Sequence, residues 1–224
     1  MRPARTACAR RSRDREREPF SEDGPAGNDG QTCLTATLEL YLARHGETEW
    51  SLSGRHTGST DLPLTERGEE RAEALGVQLS VIRFDAVFSS PMQRALRTAE
   101  LAGFDNPHVT ALLREVDYGE YEGLTSAEIR RTNPKWELYR DGSPGGETPA
   151  LIAARAQEFI DLVTSTRESG RVIAFAHGHI LRAVAATWIK ADLTVAARLQ
   201  LDVATLNILR DGDHGRVIGL WNSQ

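Results

Sequence analysis

Between residues 38 and 221, short apolar runs alternate with amphipathic stretches of helical period, and this alternation restricts the fold more than any other feature of the chain. The runs 38–43, 86–89 and 172–176 are too short for buried helices and read as strands. Between them lie helix signals. Thr65 suits the N-cap of a helix to about Ile82, and Ser90 with Pro91 supplies a cap and a first-turn proline for a helix to about Ala102. Thr125 and Glu128 space a capping box, Pro149 opens a helix to about Glu168, and residues 179–189 continue as a helix. Residues 199–221 hold two or three more strands with a turn at Asp211-Gly212. Strands joined through helices predict an α/β fold: a three-layer sandwich whose mostly parallel central sheet is flanked by helices, with antiparallel strands at its end. Ligands in such sheets bind at the carboxyl ends of strands.

Residues 1–36 have another character, with seven arginines among Ser, Gly, Asp, Asn and Pro and almost no large apolar side chains. Such a segment cannot bury enough surface to offset its ordering entropy, so we expect a disordered tail at 1–36 and one domain over 37–224. The arginines invite a targeting or nucleic-acid role, but Asp14, Glu16 and Glu18 interrupt them and no apolar segment follows. Without the tail, 20 basic face 26 acidic residues, which argues against nucleic acid held by bulk charge; any anion site must be local. No stretch nears the roughly 18 apolar residues of a membrane span. Cys8 and Cys33, the two cysteines, both fall in the tail and lack metal-site spacing, so a reducing, cytoplasmic location is expected.

Two strand ends carry histidines in polar clusters: Arg44-His45-Gly46-Glu47-Thr48 after the first strand, and His177-Gly178-His179 after the strand 172–176. Both clusters should lie on one edge of the sheet. A single such histidine is ordinarily a satisfied polar residue at the rim. His177 and His179 raise the thought of zinc, but three or four convergent ligands are not supplied, and we expect no metal and no cofactor. Phosphate chemistry suits the setting better. His45 offers a nitrogen nucleophile beside the fixed charge of Arg44, Gly46 permits close backbone approach, and Arg94 sits near the start of a helix facing the same edge.

The string from Leu42 to Trp50, with Thr57-Gly58 and Leu62-Pro63-Leu64-Thr65-Glu66-Arg67-Gly68, resembles the N-terminal signature of the histidine phosphatase superfamily, the phosphoglycerate-mutase-like proteins. Phe88-Ser89-Ser90-Pro91-Met92-Gln93-Arg94-Ala95, the Leu113-Arg114-Glu115 loop through Gly123, and Phe175-Ala176-His177-Gly178-His179 follow in the family's order, so the resemblance spans residues 38–221. It implies a phosphoglycerate-mutase-like fold with His45 as the transiently phosphorylated nucleophile. It further implies that Arg44, Arg94 and His177 clamp the phosphoryl oxygens and that Glu115 donates a proton to the leaving alcohol. Two arginines and a protonated His177 would offset the charge of a phosphomonoester, and a bound dianion would raise the pKa of Glu115. Thr57 and Gly58 resemble the phosphate-side loop, where a hydroxyl and backbone amides donate hydrogen bonds. Ser51 stands where the family commonly has Asn, which leaves one phosphate contact to a shorter hydroxyl or a bridging water. Tyr118 has two readings, a substrate phosphate contact or loop packing. Glu120 and Glu122 are read as solvated or as partners of nearby arginines, Trp50 and Trp188 as packing, and Trp136 as the tryptophan to line a substrate pocket.

The same half-reaction serves hydrolysis or return of the phosphoryl group to substrate. Mutases of the family carry a longer insertion where only residues 124–145 precede Gly146-Glu147-Thr148, and they have Gly-Asn where Gly178-His179 stands; the resemblance is closer to acid phosphatases and sedoheptulose-bisphosphatase-like sugar phosphatases. With that wall missing, water should compete better for the phosphohistidine. The expected function is therefore a metal-independent phosphomonoesterase acting on a small phosphorylated metabolite such as a sugar phosphate. The alternatives are a cofactor-dependent phosphoglycerate mutase and a phosphoprotein phosphatase, the latter signalled by a shallow pocket rather than one walled by residues 124–145. A catalytically dead binding protein is disfavoured because Arg44, His45, Arg94, Glu115 and His177 are all present. Neither nucleic acid nor membrane is an expected partner, and homo-oligomerisation is left open.

Overall fold

The computed structural model describes residues 37–224; the expected tail at 1–36, with Cys8 and Cys33, lies outside the described residues. In chain order the elements are β1 (Leu38–Arg44), α1 (Glu49–Ser53), α2 (Glu66–Leu79), β2 (Ala86–Ser89), α3 (Gln93–Leu101) and β3 (His108–Val109). There follow α4 (Ser126–Thr132), α5 (Leu138–Asp141), α6 (Pro149–Thr166), β4 (Gly170–Ala176), α7 (Gly178–Trp188), β5 (Leu206–Gly212) and β6 (Gly215–Ser223), with short 3-10 turns between some of them. Among the described residues six strands form one sheet in the order β3-β2-β4-β1-β5-β6. The pairs β1/β4, β4/β2 and β2/β3 are parallel, and β1/β5 and β5/β6 antiparallel, as expected for the end of the chain.

Period-two alternation explains the layers. Leu40 and Leu42 of β1 with Val172, Ala174 and Ala176 of β4 face Phe159, Ile160 and Val184 of α6 and α7. Tyr41, Ala43, Ile173 and Phe175, one residue out of step, face Leu75, Leu79 and Ala99 of α2 and α3. Because both faces are covered, the central strands read as continuous apolar runs, and the result is the three-layer arrangement. None of the described helices is long and apolar enough to cross a membrane.

Local expectations need correction in three places. Helix α3 begins at Gln93 with Met92 as N-cap, so Ser90 and Pro91 precede it. Ser90 is drawn away to His177, whose Nε2 lies 2.7 Å from its hydroxyl, and the orphan amide of Gln93 is met instead by Asp61 Oδ1 at 2.9 Å. Helices α2 and α6 stop at Leu79 and Thr166, short of Ile82 and Glu168. The last hairpin turns at Asp213-His214, since Asp211 and Gly212 pair with Arg216 and Gly215 inside the ladder, and residues 199–205 add no strand.

Register positions the site. Arg44 pairs with Ala176, so the next residues of the two parallel strands, His45 and His177, emerge side by side at their carboxyl ends. Ser89 pairs with Phe175, which brings Ser90 to the same edge.

Candidate active site

The rings of His45 and His177 lie 5.1 Å apart, edge to face. His45 Nδ1 is 2.7 Å from the carbonyl of Gly46, and a carbonyl only accepts, so Nδ1 carries the proton and Nε2 keeps its lone pair. Burial, then the charges of Arg44 and Arg94, lower the pKa of His45 to about 3. The imidazole is therefore neutral near pH 7, the state a nucleophile requires. A side chain at Gly46 would run into the backbone of Gly68, which explains the glycine there.

His177 is fully buried. Its Nδ1 accepts from Arg94 Nε at 3.1 Å, so Nε2 bears the hydrogen and donates to Ser90 Oγ. Burial and the Arg94 charge hold its pKa well below the usual histidine value. The expectation of a protonated His177 is thus corrected: an arginine donating to one nitrogen forbids a proton on it. Arg94 is also fully buried, and its terminal nitrogens donate to the carbonyls of Thr57, Gly58 and Thr60 at 3.1, 3.2 and 2.9 Å. Neither Arg94 nor His177 is among the residues that line the inner cavity.

The other side of the 57–60 loop is held by Glu122, whose carboxylate accepts from the amides of Gly58 and Thr60 at 2.9 and 3.0 Å. The Gly58 amide is thereby committed, which corrects its reading as a phosphate donor. Glu122 is neither solvated nor an arginine partner but a clamp on that loop. Thr57 lines the cavity, with its hydroxyl donating to the Arg55 carbonyl at 3.2 Å. Ser51 also lines it, but its hydroxyl is engaged with Thr48 in a capping box at the start of α1.

Glu115 sits opposite, on the loop before the 3-10 turn at 119–121, and its carboxylate accepts from the amides of Val116, His179 and Ile180 at 3.0, 2.9 and 2.9 Å. Two of these amides belong to the first turn of α7, where the helix dipole favours a negative charge. Burial works to raise the pKa of Glu115, but the bonds and charge from His179 more than offset it and the value lies well below the ordinary carboxylate range. His179 itself falls to about 3 through burial and the charge of Arg182, and its amide is a backbone donor that favours the ionised Glu115. The pocket therefore lowers, by itself, the pKa that a bound dianion was expected to raise. The packing reading of Tyr118 holds: its hydroxyl lies 2.6 Å from His179 Nδ1 and its ring stacks on His56 at 4.7 Å, while part of it also lines the cavity.

The inner cavity, about 70 Å³, is lined by Arg44, His45, Ser51, Thr57, Glu115 and Tyr118, joined by Arg55, His56, His179 and Arg182. Arg44 donates to the Leu201 carbonyl, and its buried Nε has no hydrogen-bond partner. An unpartnered buried N–H costs about 1–3 kcal/mol, a cost that an anion's oxygen would remove. Gly178 lets this guanidinium lie close, since a side chain there would stand 3.3 Å from Arg44 Cζ. An outer cavity of about 350 Å³ shares Arg44, Ser51, Arg55, His56, His179 and Arg182 with the inner one. Ser126, Arg130, Trp136, Glu137, Leu138 and Tyr139 also line it, so the 124–145 segment, though short, does build a wall, and the expectation of a missing wall is corrected. Trp136 lines it as expected, with Nε1 donating to the Gly142 carbonyl at 2.8 Å. Arg55, His56, His179 and Arg182 escaped assignment from sequence; the i,i+3 spacing of His179 and Arg182 in one helix was the available signal. Among the described residues no group of three His, Cys, Asp or Glu is placed to hold a metal.

Comparison with known proteins agrees with this geometry. Residues 40–224 match the family model described as histidine phosphatase superfamily (branch 1). An acid phosphatase of Mycobacterium tuberculosis is 42% identical over 171 residues, 75% of this chain and 84% of that protein. A sedoheptulose 1,7-bisphosphatase of Saccharomyces cerevisiae is 34% identical over 68% of each chain, and phosphoglycerate mutases match as well. A solved structure of a Mycobacterium tuberculosis open reading frame superposes with a TM-score of 0.81 at 38% identity, covering 83% of this chain and 97% of that one.

Proposed function

The chain belongs to the histidine phosphatase superfamily, branch 1, and on that premise we propose that it is a phosphomonoesterase hydrolysing a small phosphorylated metabolite, such as a sugar phosphate, through a phosphohistidine on His45. The observation that carries this is the bond from His45 Nδ1 to the Gly46 carbonyl, which leaves Nε2 of a neutral imidazole free at a cavity it shares with Arg44. In the first step Nε2 attacks phosphorus, the bond to the ester oxygen breaks, and Glu115, once protonated, gives its proton to that oxygen. Because Glu115 is held ionised, its proton arrives with the substrate as a phosphate monoanion. In the second step water attacks phosphorus, the N–P bond breaks, and Glu115 takes the proton of water as phosphate leaves. Arg44 neutralises charge on the transferring group. Arg94 and His177 hold the 57–60 loop and the back of the histidine pair in place.

The wall built by residues 124–145 around the outer cavity favours a small molecule over a phosphoprotein surface. We take the catalytic domain as 37–224 and place the protein in the cytoplasm, since its two cysteines both lie in the tail. Incubation with p-nitrophenyl phosphate, sugar phosphates and 3-phosphoglycerate, following free phosphate and isomer together, tests the function. Phosphate release is expected; efficient 2-phosphoglycerate formation without it would assign the chain to the mutases.

A further inference from the structure

The loop 199–205, which leads into β5, backs the turn that carries Arg44 and His45. The amide of Ala204 donates to the carbonyls of both, at 3.1 and 3.2 Å, and the Leu201 carbonyl accepts from the Arg44 guanidinium. Ala204 has φ of +52°, a left-handed conformation that an alanine keeps only where its surroundings hold it. Among the described residues Leu201 is the one protein acceptor on the Arg44 side chain. The carbonyl and the N–H of one trans peptide point in opposite directions, so the Leu201 carbonyl is aimed by whatever holds the amide of Asp202. That partner is Asn222, near the end of β6. Its Oδ1 accepts from the Asp202 amide at 2.7 Å, and its Nδ2 donates to Asp202 Oδ2 at 2.9 Å. Were this peptide to turn over, an N–H would face the guanidinium, donor against donor.

A bulge aims Asn222 at the loop. From Ile208 to Leu206, β5 advances two residues, whereas from Leu220 to Ser223, β6 advances three, so Trp221 and Asn222 stand against Asn207 alone. The extra residue leaves Asn222 at φ +55°, a region that asparagine tolerates better than most side chains. Asn207 anchors it. This residue is fully buried; its Oδ1 accepts from the Asn222 amide at 2.6 Å and its Nδ2 donates to the Leu42 carbonyl of β1 at 3.0 Å. A buried asparagine is costly unless its bonds are met, and here they run from β1 through β6 to the peptide that holds Arg44.

We propose that Asn222 is a positioning residue for Arg44: by fixing the 201–202 peptide through its N–H, it aims the carbonyl that orients the guanidinium toward the transferring phosphoryl group. This rests on the phosphomonoesterase reading above, in which Arg44 neutralises charge on that group, and it identifies what keeps the charge in place from outside the cavity.

The test uses the full chain, with p-nitrophenyl phosphate as substrate and orthovanadate as an oxyanion ligand whose Kd is read by calorimetry. Asn222→Gly removes the side chain without straining φ. It should lower kcat/KM and vanadate affinity together, each by about tenfold. In the Arg44→Gln background the same change should alter either by less than about twofold, because the guanidinium it positions is gone. Urea midpoints of all four chains separate this from folding, since a merely structural loss would be carried equally in both backgrounds. Rescue gives a second reading. Asn222→Asp alone sets two carboxylates against each other, whereas Asn222→Asp combined with Asp202→Asn exchanges the pair, keeps an acceptor on the 202 amide, and should return vanadate affinity to within about threefold of wild type. Should Asn222→Gly fail to fold, this exchange decides. Vanadate affinity unmoved by Asn222→Gly, equal losses in both backgrounds, or no recovery in the exchanged pair overturns the inference, while p-nitrophenyl phosphate hydrolysis by the wild-type chain keeps the phosphatase reading intact. A wild-type chain that neither hydrolyses the ester nor binds vanadate overturns both.

Discussion

Glu115 is joined to His179 twice over: the His179 amide donates to Oε2 at 2.9 Å, and the ring nitrogen Nδ1 stands 3.6 Å from the same oxygen. A carboxylate so placed moves protons only at a cost, which makes it sensitive to what leaves. Glu115→Gln keeps the size of the side chain and removes the proton. It should lower kcat by about 10²–10⁴ on an alkyl phosphate, the usual contribution of general acid catalysis, and by less in forming phosphoenzyme from p-nitrophenyl phosphate, whose leaving group needs no proton. Burst kinetics on the two substrates check this, and equal losses in the first step would remove Glu115 as the acid.

His45→Ala should abolish both turnover and acid-labile phosphoenzyme. Brief incubation with radiolabelled phosphate ester, followed by acid and alkali treatment of the denatured chain, reads the second directly. Label retained in the variant would place the nucleophile elsewhere.

The pH profile follows from two groups. His45 is a nucleophile only when unprotonated, and with its pKa at about 3 that limb falls away only in strong acid. Glu115 is already ionised in neutral solution, so the proton enters with the substrate monoanion, whose fraction declines above a second phosphate pKa of about 6. The kcat/KM on an alkyl phosphate should therefore fall about tenfold per pH unit above that point. A rate flat from pH 6 to 8 would show that the proton does not come with substrate.

Stability should also decline in acid. His45 and His179 fold with pKa values of about 3 against an unfolded value near 6.5, so the unfolded chain binds protons first. The stability they carry is complete above about pH 6.5 and is lost progressively as pH falls toward 3. Denaturant midpoints from pH 7.5 to 4 measure this, and His179→Gln should flatten part of the slope.

Gly58 has no room for a side chain: a Cβ would meet the Val116 carbonyl at 2.5 Å and Glu122 Oε2 at 2.8 Å. Gly58→Ala should cost about 1–3 kcal/mol, the range for overpacking a filled site, and lower activity by shifting the loop that Arg94 and Glu122 hold. Urea unfolding, with kcat/KM in parallel, gives both numbers.

Much of this was legible in the one-dimensional text. The strands 38–43, 86–89 and 172–176 are apolar on both faces, and that alone signals a covered sheet. Local caps at Thr65 and Thr125 followed their side chains, because an N-cap bonds within three residues. Ser90 broke that rule, since a histidine 87 positions away competes for its hydroxyl. The wall from residues 124–145 was misjudged for a similar reason. A short segment encloses a cavity when it folds into α4 and α5, and its length does not disclose where those turns dock.

The sequence by itself determined the layer order, the pairing of two histidine clusters at one sheet edge, and the family, because each follows from periodicity or from contiguous residues. The protonation of the site was decided only by the tertiary structure. His177 is neutral because Arg94 donates to it from a different helix, and Glu115 is ionised because the first turn of α7 meets it across 64 residues of chain. Burial and hydrogen-bond donors set such pKa values, and neither exists until distant segments pack.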